Sequence, residues 1–149
     1  MDIFELLKTD HEKVKKILEQ LEETSNRASS RREKLVQTLS AGFLPHAYAE
    51  EQYFYQILLD ETSEQEDVYS ALEEHRAAKM VLSDLTDAAT DDPRWMARLR
   101  VLKELIEHHV EEEESRIFDI ARRVIDDERS DEVARRFKEM KKEAPTVMA

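Results

Sequence analysis

The stretch HAYAEEQYFY, residues 46–55, returns sixty-three residues later as HVEEEESRIF, residues 109–118. Both read H-x-x-x-E-E and then, two residues on, an apolar-aromatic pair. Residues four apart lie one above the other on a helix, so His46 shares a face with Glu50, and His109 with Glu113. A second pair of segments repeats at an offset of sixty-four. Asp10-His11 followed by Val14, Leu18 and Leu21 matches Glu74-His75 followed by Ala78, Leu82 and Leu85. The chain therefore carries one two-helix pattern twice, with its unusual residues in register.

Working outward, each motif sits on an apolar stripe of helical period. Phe4, Leu7, His11, Val14, Leu18 and Leu21 predict a first helix ending near Ser25 to Ser30. Leu35, Leu39, His46, Glu50, Phe54 and Ile57 predict a second from about Ser30, running out between Asp60 and Glu66. Gly42 and Pro45 fall inside it, and an interior proline removes a hydrogen bond and crowds the preceding turn, so a kink or break is expected there. Val68, Leu72, His75, Ala78, Leu82 and Leu85 mark a third helix over about Glu66 to Ala89. Pro93 suits the first position of a fourth, whose inner stripe reads Leu99, Leu102, Ile106, His109, Glu113, Ile117 and Ile120. A short amphipathic stretch, about Asp131 to Lys142 with Val133, Phe137 and Met140, predicts a fifth helix across the bundle, without a chemical role, followed by a frayed tail.

Composition agrees. One glycine, three prolines and 39% charged residues in 149 suit helices joined by short turns. The expected fold is all-α, an up-down four-helix bundle with a short fifth helix, in a single domain over 1–149 with its bundle at about 1–125. No apolar run is long enough for a membrane span, and MDIFELLKTDHEK lacks a signal-peptide layout, so a soluble, cytoplasmic protein is expected. A net charge of −12 argues against nucleic acid and anionic membranes as partners. The absence of cysteine excludes thiolate chemistry, leaving nitrogen and oxygen donors for any metal.

Taken singly, an inward histidine reads as a hydrogen-bonded core residue, and H-x-x-x-E is a common surface pair. Four inward histidines, one per helix, with two inward glutamates in register resist that reading, because burying them unpaired costs several kcal/mol. A bound metal removes the cost. The candidate ligands are His11, His46, Glu50, His75, His109 and Glu113. His108 lies about 100° around the helix from His109 and is expected as an outer neighbour or surface residue. Glu51, Glu112 and Glu114 are expected as solvated neighbours. Periodicity does not settle which of Tyr48, Tyr53 and Tyr55 points inward; Tyr53 lies one turn from Glu50, near the inner stripe, as a packing residue or a group acting at the metal.

Asp10-His11, HAYAEE at 46–51, Glu74-His75 and HVEEEE at 109–114 resemble the hemerythrin-like, HHE cation-binding family, over about residues 1–125. The resemblance implies a non-haem di-iron centre, carboxylate-bridged through Glu50 and Glu113, with a place for an oxo or hydroxo bridge. It also shows a departure. Oxygen-carrying hemerythrins have a further histidine one turn after the third-helix ligand and a bridging aspartate on the fourth helix; here Lys79 and the shorter H-x-x-x-E stand in those places. Fewer protein ligands leave more exchangeable positions on the irons. The expected function is reaction with O2, H2O2 or NO, with catalase-like peroxide decomposition as its enzymatic form. The alternative is a non-catalytic sensor or carrier of O2, NO or iron.

Overall fold

A computed structural model describes residues 1–145. Of the frayed tail expected after about Lys142, residues 146–149 lie outside the described residues. Helix α1 spans Ile3–Glu22 and starts where the Asp2 carboxylate accepts the Glu5 N–H at 2.8 Å. It stops short of the expected Ser25 because the Thr24 hydroxyl and N–H both turn back to the Leu21 carbonyl. Helix α2 (Ser29–Ala49), a π-helical turn (Glu50–Phe54) and α3 (Tyr55–Glu61) form one continuous rod. After α4 (Gln65–Asp87), a second such rod consists of α5 (Trp95–Glu112), a π turn (Glu113–Ile117) and α6 (Phe118–Arg122). Helix α7 is Asp127–Glu143.

The all-α expectation holds, and the chain is a helical bundle. Helix α1 packs against α2 and α5, α4 packs against the same two, and α7 lies over α1, α2 and the first π turn. Three further features differ from the sequence reading. Of the kink or break expected at Gly42 and Pro45, the break is absent: α2 runs through both, and Ala41, whose carbonyl loses its donor to Pro45, is an exposed residue. Pro93 stands before its helix, in a tight turn where Asp92 accepts the Arg94 N–H at 2.8 Å and the Trp95 N–H at 2.9 Å. Helix α7 begins a turn early because Asp126 caps it, accepting the Arg129 N–H at 2.8 Å. No helix of the described residues is long and apolar enough to cross a membrane.

The apolar core falls into two clusters. One gathers Leu7, Tyr55, Leu58, Ala71, Ile117 and Phe137; the other gathers Val14, Leu18, Phe43, Ala78, Leu82 and Ile106. Each inward histidine lies in sequence between a member of one and a member of the other. The six candidate ligands thus form a polar layer across the bundle between two apolar ones.

The far end of the second cluster is fastened by a charge that the hydrophobic pattern did not reveal. Arg32, only 3% exposed, donates to Thr24 Oγ1 (2.9 Å), the Thr24 carbonyl (3.2 Å) and the Thr90 carbonyl (2.5 Å). Its guanidinium also lies 4.0 Å from the Trp95 ring centroid. It joins the α1–α2 connection to the α4–α5 connection. Arg32→Met is expected to remove about 2 to 3 kcal/mol of stability and about 5–10 °C of Tm. At 1.5 Å per residue Arg32 is about 20 Å along α2 from His46, so metal content should be unchanged. Thermal unfolding followed by circular dichroism, with metal analysis of the same sample, checks both; loss of metal would contradict the division into layers.

Candidate metal centre

Six side chains converge at the polar layer, and their exposure is between 0% for Glu50 and Glu113 and 5% for His11. His46 Nε2 is 3.2 Å and His75 Nε2 3.1 Å from Glu50 Oε1. His11 Nε2 is 3.3 Å from Glu113 Oε1, and His109 Nε2 is 3.0 Å from Glu113 Oε2. Two sets of four have ligand atoms all within 4.8 Å of one another: His11, His46, Glu50 and Glu113, and Glu50, His75, His109 and Glu113. Both glutamates belong to both sets. All six residues singled out from the sequence are therefore brought together.

What fixes the four imidazoles is a set of carboxylates beyond them. His11 Nδ1 is 2.7 Å from Glu114, His46 Nδ1 2.9 Å from Asp10, His75 Nδ1 2.8 Å from Glu51, and His109 Nδ1 2.8 Å from Glu74. With a carboxylate at each Nδ1, that nitrogen is the donor and Nε2 faces inward, the orientation that prepares histidine for a metal. The four bonds run in a circuit: Asp10 of α1 reaches α2, Glu51 reaches α4, Glu74 reaches α5, and Glu114 returns to α1. Glu51 and Glu114 were expected as solvated neighbours; they are half-buried and hold histidines. The signal was the repeat itself, which places an acid before His11 and His75 and after Glu50 and Glu113. Glu112 remains a solvated neighbour, 3.9 Å from Arg116.

Electrostatics follow this geometry. Burial opposes ionisation of Glu50, but the neighbouring histidine charges, His46 foremost, hold it well below the usual carboxylate range. Burial likewise disfavours charge on His11, yet Glu113 and Glu114 push it up to about 10; His46 and His109 are raised in the same way. For Glu74 and Glu114 the histidine bond is itself the largest influence and lowers them. The cluster thus has a strong demand for positive charge.

Hydrogen bonding says the same. Among the described residues, the buried side-chain atoms without a partner are His11 Nε2, His46 Nε2, both Glu50 oxygens, Glu113 Oε1 and Trp95 Nε1. All but the last are candidate ligand atoms. His75 Nε2 and His109 Nε2 lie 2.9 Å apart, close enough to share one proton or to take one cation between them. The residues present fit a metal.

Of the three tyrosines the one turned inward is Tyr55. The first π turn is closed by the Tyr55 N–H on the Glu50 carbonyl, and this wider turn shifts every later side chain by one position. Tyr55, wholly buried, therefore projects into the centre. It donates a short hydrogen bond to Glu113 Oε2 and lies 3.3 Å from His109 Nε2 and 3.5 Å from His75 Nε2. Tyr53 packs half-buried at the edge of the core shared with α7. Burial first, then the Glu113 and Glu50 charges, raise the Tyr55 phenol well above 10. At the matching place in the second half stands Phe118, after a π turn closed in the same way on Glu113.

His108 is 64% exposed, and its one acidic partner among the described residues is Glu74, at 3.4 Å. Lys79 also turns outward, binding Glu51 at 2.7 Å. Helix α7, expected to have no part here, sends Lys141 to Asp10 at 2.8 Å and lays the Phe137 ring edge-on to His46. A polar cavity of about 310 Å³ between α4 and the second π turn has His109 and Glu113 at its buried end, with Glu74, His108 and Arg116 nearer the surface.

Fold and site together define a helical bundle with a buried histidine–carboxylate cluster suited to cations. The family model described as hemerythrin HHE cation-binding domain matches residues 2–121, and the chain belongs to that family. Comparison with curated proteins and with solved structures returned no match.

Proposed function

We propose that this chain is a non-haem di-iron protein that binds and reacts with O2 or peroxide, with catalase-like decomposition of H2O2 as its activity. The observation that carries the reading is the pair of four-residue sets sharing Glu50 and Glu113, which suits two cations bridged by two carboxylates. His11 and His46 would hold one ion, and His75 and His109 the other. A donor set of imidazole and carboxylate without thiolate suits iron.

The irons would supply redox chemistry, by which two peroxides yield one O2 and two waters. The chain's own part is positional and protonic. The four Nδ1 bonds hold the imidazoles in one tautomer and orientation. The two apolar clusters above and below exclude bulk water. The 310 Å³ cavity gives a small polar molecule a route towards His109 and Glu113. Tyr55 keeps its proton across the working pH range and holds it at Glu113 Oε2, beside the position framed by His75 and His109, where a leaving oxygen needs one.

The test is metal analysis of protein purified without chelator, followed by O2 release on adding H2O2, for the parent chain and Tyr55→Phe. The expected result is about two irons per chain, with turnover in Tyr55→Phe reduced by a factor on the order of 100 at unchanged iron content. Two irons without O2 release would favour the sensor or carrier reading, and iron-free protein would overturn the centre itself.

A further inference from the structure

We infer that Lys141 of α7 is a positioning residue for the centre, acting on His46 through Asp10, and that α7 thereby makes the His11/His46 position unlike the His75/His109 position. The inference rests on the dinuclear reading above.

Asp10 is 6% exposed, and a single oxygen, Oδ2, receives both His46 Nδ1 at 2.9 Å and Lys141 Nζ at 2.8 Å. The ammonium pins the carboxylate at the point from which it holds the imidazole. The same helix places Phe137, wholly buried, with its ring centroid 5.6 Å from that of His46 at 68°. One helix therefore both anchors the ligand's partner and covers the ligand's ring.

The other position takes its support from the four long helices instead of α7: Phe43 of α2 lies edge-on to His75, ring centroids 6.1 Å apart at 74°. Its carboxylates are backed from within the bundle, Glu51 by Lys79 at 2.7 Å and Glu74 by His108 at 3.4 Å, and it meets Tyr55 and the 310 Å³ cavity. Helix α7 also begins beyond residue 121, where the family match ends, so this support is an addition to the matched domain. Losing the ammonium frees Asp10 to turn towards water, and His46 loses its hold while His75 and His109 keep theirs.

Outer hydrogen-bond partners of metal ligands are worth about 10–100-fold in affinity. Co(II), whose visible absorption reports ligand geometry, is the probe. Metal-free parent chain, Lys141→Met, Lys141→Arg, Lys79→Met and the exposed Lys142→Met are each titrated with it and followed optically. In the parent chain two ions are expected to bind in separable steps. Lys141→Met should weaken one step by about 10-fold or more and shift its absorption, with the other step unchanged. Lys141→Arg should restore it, Lys79→Met should weaken the opposite step, and Lys142→Met should do nothing. A parent chain that binds no Co(II) defeats the dinuclear reading. A parent chain that binds two, with Lys141→Met identical to it or weakened equally at both steps, leaves that reading standing and defeats this inference.

Discussion

Glu50→Gln should strip metal from both positions, whereas His11→Ala should strip it from one. Glutamine keeps the shape of the side chain and removes its charge, and Glu50 belongs to both four-residue sets while His11 belongs to one. Each position in Glu50→Gln keeps two imidazoles and one carboxylate but loses half its negative charge. After desalting against a weak chelator, Glu50→Gln should hold well under one metal per chain and His11→Ala about one. Metal analysis of the two variants side by side is the check, and equal losses would show that the glutamates do not bridge.

Removing the metal should cost the protein much of its thermal stability, by an amount that grows with pH. A ligand that binds only the folded state at about 1,000 times its Kd adds about 4 kcal/mol, which here corresponds to about 10–15 °C of Tm. In the metal-free chain, protons stand in for the cation. His11, His46 and His109 have folded-state values above the usual 6.5, so their stabilising protonation is complete below about pH 6.5. It fades as pH rises through the folded value, about 10 for His11. Metal uptake releases those protons, so occupancy should rise with pH, and the gap in Tm between loaded and metal-free protein should widen from pH 6.5 upward. Calorimetric scans of both forms over that range test it. A gap that narrows with pH would mean the histidines are neutral in the metal-free core.

Much of this was legible in the sequence because it is periodic. The helices, the stripes and the six inward polar residues all obey a 3.6-residue repeat, and the internal duplication picked His109 over His108. What escaped is what periodicity cannot carry. Tyr55 was hidden by the π turn, since regular spacing does not settle which of three neighbouring tyrosines points inward. Asp10 and Lys141 are far apart in sequence, and nothing local links an acid on α1 to a lysine on α7. Arg32 resembled any surface charge until the two connections at its end of the bundle were placed in space. Pro45 does not break its helix, since α2 runs on through it.

The circuit of carboxylates has a consequence for handedness. Each acid stands to one side of its own helix's inner face and reaches only the neighbour on that side: Asp10 toward α2, Glu51 toward α4, Glu74 toward α5, Glu114 toward α1. Wind the same four helices in the mirror order and the inward stripes would still meet, so apolar burial alone barely distinguishes the two. All four acids would then face the wrong histidine. The bonds that orient the ligands are therefore also the ones that reject the mirror-wound bundle before any metal arrives.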